Sequence, residues 1–333
     1  MSPPALNNPV MSANSFNPHE QRRINVRSLL CVLLAFLGLF ATLGRAGAQI
    51  FVANFGDGTV GKYSTSGEPL APALISGLVS PRGVAVLGDD LFLTSSVMPN
   101  NGAGIVSKYN VSGESVDQTL IQLFGPSAIA ASGTNLFVVN SNISSESDKV
   151  GKYTTSGAVV DHDLIGGLSI PNTLAVSGNK LFVADIGNGE IGKYSTSGEP
   201  LNANLVPEAS SVSGIAVFGN SLFVANFSLG TISQYNATTG ELVTPTLVAG
   251  LDHPSALAVA EGYLFVSDFF AGTVGKYTLS GETVDATLIS GLNQPTSIDV
   301  ISASVTEVSS TWSLLLLGLA ATLCLKTRMG ATN

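Results

Sequence analysis

Leu181-Phe182-Val183-Ala184-Asp185 is one of six copies of a single apolar phrase. The others are Ile50–Asn54, Leu91–Ser95, Leu136–Asn140, Leu222–Asn226 and Leu264–Asp268. Their phenylalanines stand at 51, 92, 137, 182, 223 and 265, a spacing of 41 to 45 residues. Self-similarity at a fixed period of this size is the mark of a repeat architecture. Each unit carries three further segments. A Pro-x-Gly-Ile-Ala-Val-like run precedes the phrase, as at Pro81–Val86 and Pro254–Val259. A Val-Gly-Lys-Tyr-like run follows it, ending at Tyr63, Tyr109, Tyr153, Tyr194, Tyr235 and Tyr277, and a Thr-Leu-Ile-Ser-Gly-Leu-like run closes the unit.

Gly, Asn, Asp and Ser stand at the joints, and the runs between them are short, β-branched and aromatic. Such runs read as strands joined by hairpins. The Leu-Phe-Val-Ala phrase has no polar alternation, so both of its faces must be covered. Four short antiparallel strands every forty-odd residues, each sheet covered by its neighbours, make the blade of an all-β propeller. The six tyrosines are expected to pack between blades with their hydroxyls at the rim.

The first unit begins at Ile50 and lacks a Pro-x-Gly run, while the last such run, Pro295–Val300, has no unit after it. The two fragments complement each other. Six four-stranded blades follow, with the C-terminal strand as the innermost strand of blade one. That closure leaves the ring no open end. Counting from 49 to 305, the ring has 12 Asp and 9 Glu against 7 Lys and 1 Arg, a net charge of −13. A surface of that sign repels phosphate backbones and argues against nucleic acid. Both cysteines, Cys31 and Cys324, lie outside the ring, which leaves it no thiol nucleophile and no thiolate ligand.

The repeat resembles the NHL-repeat family of propellers, on Ile170-Pro171-Asn172-Thr173-Leu174-Ala175-Val176 followed by Leu181–Asp185. The resemblance covers about residues 49 to 300. It implies a propeller of the kind that binds proteins, binds nucleic acid, or acts as a metal-dependent hydrolase or lyase. The Gly-His and Trp-Asp signature of WD-type propellers is absent, and the single Trp, Trp312, lies outside the ring.

Both ends read as addresses. Arg22, Arg23 and Arg27 precede the apolar run Leu29–Leu43, and Ala46-Gly47-Ala48 supplies small residues for cleavage before Gln49. This is the pattern of a secretory signal peptide over 1–48, with Met11 a second candidate start. After a spacer at 301–311, Trp312 leads into the apolar Ser313–Leu325 and the basic Lys326 and Arg328. About 13 apolar residues fall short of the roughly 20 of an ordinary spanning helix. The order of features over 312–333 resembles the PEP-CTERM class of bacterial sorting signals, which implies export, membrane retention and transfer to the cell surface. Thr306-Glu307-Val308-Ser309 stands where a Pro-Glu-Pro would be, so a simple C-terminal membrane anchor is the other reading. Both ends are expected to be helical.

Strand order places the joints before each Pro-x-Gly run and after each Val-Ala-Asn/Asp phrase on one face. That face carries the insertions Val97–Gly104 and Ser141–Lys149, and insertions gathered on one face mark a binding face. The other face consists of tight turns, and both chain ends leave from it. The spacer spans at most about 35 Å, so the tight-turn face is expected towards the membrane and the inserted face outward.

Arg82 stands in a slot otherwise held by Ser127, Asn172, Ser213, Ser255 and Thr296, and Asp299 in a slot otherwise held by alanine. Arg82 suits an anionic group. His253 precedes Pro254 on the inserted face beside Asp252, and neighbouring side chains in an extended segment are expected to point apart. His162 is expected to be a solvated residue of an outer strand. Arg82, Asn172, His253 and Gln294 are the candidate ligand-binding residues. The second strands end on Asn54, Ser95, Asn140, Asp185, Asn226 and Asp268. Oxygens converging on the axis, Asn54, Asp185 and Asp268 among them, suit Ca²⁺ or Mg²⁺, as in gluconolactonase-like propellers. Six-fold recurrence also fits a structural role for Asn and Asp in turns. The expected function is therefore that of an exported, envelope-associated, monomeric ring. It binds a glycan or protein through the inserted face without catalysis or a required cofactor. The alternative is a metal-dependent lactonase- or lyase-like enzyme using Asp185, Asp268, Asn54 and His253.

Overall fold

The computed structural model describes residues 47–97, 102–141, 148–209 and 211–302. The segments 1–46 and 303–333, expected to hold a signal peptide, a sorting signal and helices, lie outside the described residues, as do 98–101 and 142–147 of the two insertions. Among the described residues, 24 strands form six four-stranded antiparallel sheets. The inner strands are Val79–Leu87, Pro126–Ser132, Pro171–Ser177, Val212–Phe218, Pro254–Ala260 and Pro295–Ile301. Each touches the inner strands of the blades before and after it, and the succession returns from Pro295–Ile301 to Val79–Leu87. The result is a six-bladed propeller.

The closing strand behaves as its sequence requires. Pro295–Ile301 pairs with Gln49–Asn54, from Gln49 opposite Ile301 to Asn54 opposite Pro295. The inner strand of blade one thus comes from the far end of the chain, while its other three strands, Gln49–Asn54, Thr59–Ser64 and Pro69–Ile75, come from the near end.

Alternation along each second strand explains why the phrase is apolar throughout. In a strand, successive side chains point to opposite faces. In blade four, Phe182 and Ala184 enter the cluster shared with Ile215, Leu222 and Val224 of blade five. Leu181 and Val183 enter the cluster shared with Phe137, Val139 and Val150 of blade three. Six such clusters fill the six joints. The tyrosines belong to them. Tyr153 is fully buried, and Tyr235, the least enclosed, is still packed against the joint of blades four and five. The Tyr153 hydroxyl meets His162 Nδ1 at 3.2 Å, so that exposed histidine has a structural contact.

The Gly-Lys that precedes Tyr63, Tyr153, Tyr194 and Tyr277 has a geometric cause. The ring folds back over the glycine two residues before it, and a Cβ on Gly192 would stand 2.6 Å from the Tyr194 ring and 2.8 Å from the Ala203 carbonyl. The intervening lysine latches blades together. Lys62, Lys152, Lys193 and Lys276 donate to the carbonyls of Val111, Thr196, Ala237 and Thr65 in the next blade, at 2.8 to 3.1 Å. Lys108 pairs instead with Asp90 at 2.8 Å. Each of these five ammonium groups also stands 5.5 to 5.8 Å from the ring of the phrase phenylalanine beside it, within cation–π range.

The outer strands carry exposed edges, and each is interrupted. Their pairing slips twice in all six blades, beside the lysine in five and beside Gln234 in blade five. Pro72 and Pro245 sit at the slip in two blades, and Asp117, Asp161, Asn202 and Asp285 bond the backbone N–H two residues on in the other four. Bulges, prolines and charges blunt edge-to-edge association.

Joint packing predicts that Phe182→Ala costs about 3–5 kcal/mol. Leu70→Ala, on an outer strand and half exposed, changes stability by less than about 0.5 kcal/mol. Urea midpoints of the two variants check this ordering.

Candidate functional site: the axial channel and its mouth

The six inner strands enclose a cavity of about 770 Å³ on the axis. Its wall is aliphatic for most of its length, with Val84, Val86, Ile129, Leu174, Val176, Ile215, Val217, Leu257, Val259 and Ile298. Phe55, Ile186, Phe227 and Phe269 contribute at the inserted-face end. Each directly follows the last residue of a second strand.

One ring of polar side chains crosses this wall. Asn172 donates to the Val212 carbonyl at 3.0 Å, Ser213 to the Pro254 carbonyl, Ser255 to the Pro295 carbonyl at 2.5 Å, and Thr296 to the Pro81 carbonyl at 3.0 Å. Each bond ties an inner strand to the start of the next blade's repeat. The belt therefore runs unbroken from blade four through five, six and one to blade two. It stops at Arg82 and Ser127, the corresponding residues of blades two and three. Ser127 Oγ is buried without a partner. The exposed Arg82 guanidinium lies 5.8 Å from the Phe55 ring and meets no carboxylate at ion-pair distance among the described residues.

Asp299 lines the channel closer to the tight-turn face. Its Oδ2 accepts from Val86 N–H and its Oδ1 from Val300 N–H, both at 2.8 Å, while Ser297 Oγ accepts from Val84 N–H at 3.1 Å. The bonds from Val84 and Val86 stitch the closing strand to blade two. The carboxyl is deep in the ring although one side faces the cavity. Burial pushes its pKa up to about 6, against the opposing pull of the two N–H donors.

Of the candidate ligand-binding residues, Arg82 and Asn172 line the channel. His253 and Gln294 each stand just before the proline that opens an inner strand, and neither is among the lining residues. Both have positive φ, 68° and 54°. The expectation that Asp252 and His253 point apart fails for this reason. The left-handed turn at His253 breaks the extended backbone and brings its Nδ1 to 3.0 Å from Asp252 Oδ1. The imidazole stacks edge-to-face between Phe227 and Phe270, with centroids at 4.7 and 4.8 Å, and Phe269 meets Phe270 at 5.0 Å. Phe270 is 58% exposed. Half of the mouth is thus an open aromatic cluster that the sequence reading did not single out. The run Phe269-Phe270, at the joint after the phrase, was its visible signal.

Asn54, Asp185 and Asp268 are not among the lining residues. Their bonded polar groups serve joints instead, while Asn54 Oδ1 and Asp268 Oδ1 are buried without a partner. Asp185 accepts from Ser169 N–H, Ile170 N–H and Asn188 Nδ2 at 2.8 to 2.9 Å. Asp268 Oδ2 accepts from Asp252 N–H at 2.7 Å, and burial holds this carboxyl above its ordinary range. Asn54 Nδ2 donates to Thr59 Oγ1 at 3.2 Å. The described residues contain no cluster of three or more His, Cys, Asp or Glu with metal-binding geometry.

No family model and no curated protein sequence matches the chain. A chain from the crystal structure of a nidogen/laminin complex aligns at TM-score 0.63 and 15% identity, over 78% of this chain and 100% of that one. A protein of unknown function from Bacteroides caccae aligns at TM-score 0.58 and 12% identity, over 77% of this chain and 99% of that one. Likeness at these identities is likeness of fold.

Two predictions follow from the geometry. A carboxyl whose folded pKa lies above its unfolded value near 4 favours the fold below pH 4. That contribution is lost as pH rises through about 6. Wild-type stability should therefore fall relative to Asp299→Asn between pH 4 and 7.5, by at most about 3 kcal/mol, as read by paired melts at the two pH values. Asp185→Ala leaves the Ser169 and Ile170 N–H groups without their acceptor. It should cost about 1–3 kcal/mol for each donor left buried, as read by urea unfolding.

Proposed function

We propose that this protein is an exported, envelope-associated propeller that binds a glycan or protein through its inserted face without catalysis. The observation that carries this reading is the open aromatic cluster of Phe227, His253, Phe269 and Phe270 beside a roomy channel mouth. Monomeric proteins seldom leave grouped aromatic rings in water without a use for them. Aromatic side chains concentrate binding energy because they present large, stiff, partly polar surfaces. Leu229, 73% exposed, stands at the matching joint of blade five, on the same face.

The address segments at 1–48 and 312–333 support export and attachment at the envelope. The short spacer supports an orientation with the tight-turn face inward. The NHL-like repeat and the nidogen/laminin-complex neighbour support an interaction role, since the fold presents its joints as one continuous surface. The three hydrogen bonds that hold the buried Asp185 carboxylate in its own joint favour the binding reading over the metal-dependent one.

The test is co-sedimentation of the protein with envelope fragments and with isolated surface polysaccharide. Phe227→Ser with Phe270→Ser should weaken binding at least about tenfold, the loss expected of an aromatic anchor. Phe218→Ser, at the tight-turn end of blade five, should leave it unchanged. Equal effects from the two substitutions, or retention by the double variant, would contradict the assignment of the inserted face.

A further inference from the structure

We propose that the channel mouth at blades two and three is a carboxylate site. Arg82 is the counter-ion of a small organic acid, Ser127 is a hydroxyl donor to it, and the apolar channel wall receives the body of the acid. This inference does not rest on the macromolecular binding proposed above.

Four observations meet at this place. Arg82 is the one arginine between residues 49 and 305, in a ring with 21 acidic residues. Yet its exposed guanidinium has no carboxylate at ion-pair distance among the described residues. A cation left unpaired amid excess negative charge at a cavity mouth is available to a ligand. Second, the slot residues' own inter-blade bonds stop at Arg82 and Ser127, and at the joint of blades two and three Thr94 Oγ1 donates to the Ser127 carbonyl at 2.7 Å in place of Arg82. The structural task of this slot has been given up at two adjacent blades. Third, Ser127 lines the cavity while its Oγ stays buried and unpartnered. An unmade hydrogen bond at a buried hydroxyl is costly. A turn about χ1 between staggered positions is the step that offers it to a ligand oxygen. Fourth, the rim facing Arg82 is aromatic, with Phe55 against the guanidinium and Phe227 and Phe269 across the mouth.

The charge pattern orients the acid. Asp299 lies three positions further along the inner-strand repeat than the Arg82 slot, about 10 Å deeper at 3.3 Å per residue. A carboxylate is therefore attracted at the mouth and repelled at depth, so the charged end stays at Arg82 and the uncharged body descends. A planar guanidinium suits a carboxylate by two parallel N–H···O bonds. Two kinds of acid share this chemistry, a fatty acid with a chain in the channel and a uronic acid with its ring against the aromatic rim.

Calorimetric titration of the full-length protein at pH 7.5 and low salt distinguishes them. Octanoate is compared with octanol, and glucuronate with glucose. One acid should bind at least about tenfold more tightly than its neutral partner, as expected for a charge-assisted hydrogen bond. The responding pair identifies the chain-like or ring-like body. Arg82→Ser places the residue found in the equivalent slots of blades three, five and six, so the fold should be kept while the preference for the acid disappears. Ser127→Ala should weaken the acid several-fold without lowering the melting temperature. Ser255→Ala, which breaks a belt bond, should lower it. The proposal is overturned if neither acid exceeds its neutral partner, or if Arg82→Ser keeps the preference.

Discussion

Everything in this protein depends on one strand pairing, Pro295–Ile301 against Gln49–Asn54. Each blade is apolar on both faces because it has a neighbour on each side. An open ring would leave two such faces wet. One would expose Ile50, Val52 and Ile298, which now pack with Ala258 and Phe265 of blade six. Closure also draws together residues more than 200 positions apart. The entropic penalty for so long a loop grows only logarithmically with its length, whereas the apolar area covered at each joint is proportional to the residues packed there. A late strand borrowed from the chain's end is thus a feasible way to complete a ring.

The same pairing shapes the channel. The closing strand is the one inner strand whose inward-facing slots carry both a hydroxyl and a carboxyl, Ser297 and Asp299, and both are bonded to blade two. Directly beyond that seam stand Arg82 and then Ser127, where the belt is interrupted. Repetition elsewhere serves packing. The two charged departures that line the channel, Arg82 and Asp299, fall in blades one and two. A site needs unlike residues, and a repeat protein obtains them by releasing a few copies from their structural duty.

Much of the fold was legible in the sequence because period and punctuation act locally. The Phe spacing gave the blade count, and the missing first Pro-x-Gly run with the surplus last one gave the closure. The lysine latch was not legible, since its acceptors are backbone carbonyls some 44 to 49 residues away in blades one, three and four, and 211 away at the closing joint. The site was half legible. Arg82 and Asp299 announced themselves by breaking their slots, and the channel walls confirm where those slots lie. Asp185 and Asp268 looked like axial ligands because the strand pattern puts them at one end of every blade. Side-chain direction decided otherwise: both Asp185 oxygens and Oδ2 of Asp268 turn to the backbone of their own joints. The Asp252–His253 contact was missed because a positive φ before proline is a tertiary demand that no local pattern displays.

The most direct test of closure is amide hydrogen exchange at Gln49–Asn54, measured in the full-length protein and in a chain ending at Gln294. In the intact ring these amides should exchange as slowly as those of Lys180–Asp185, an equivalent strand far from the seam. Without the closing strand, protection should collapse first at Gln49–Asn54 and at the blade-six face against it. Unchanged protection of Gln49–Asn54 in the shortened chain would contradict the dependence of the ring on this pairing.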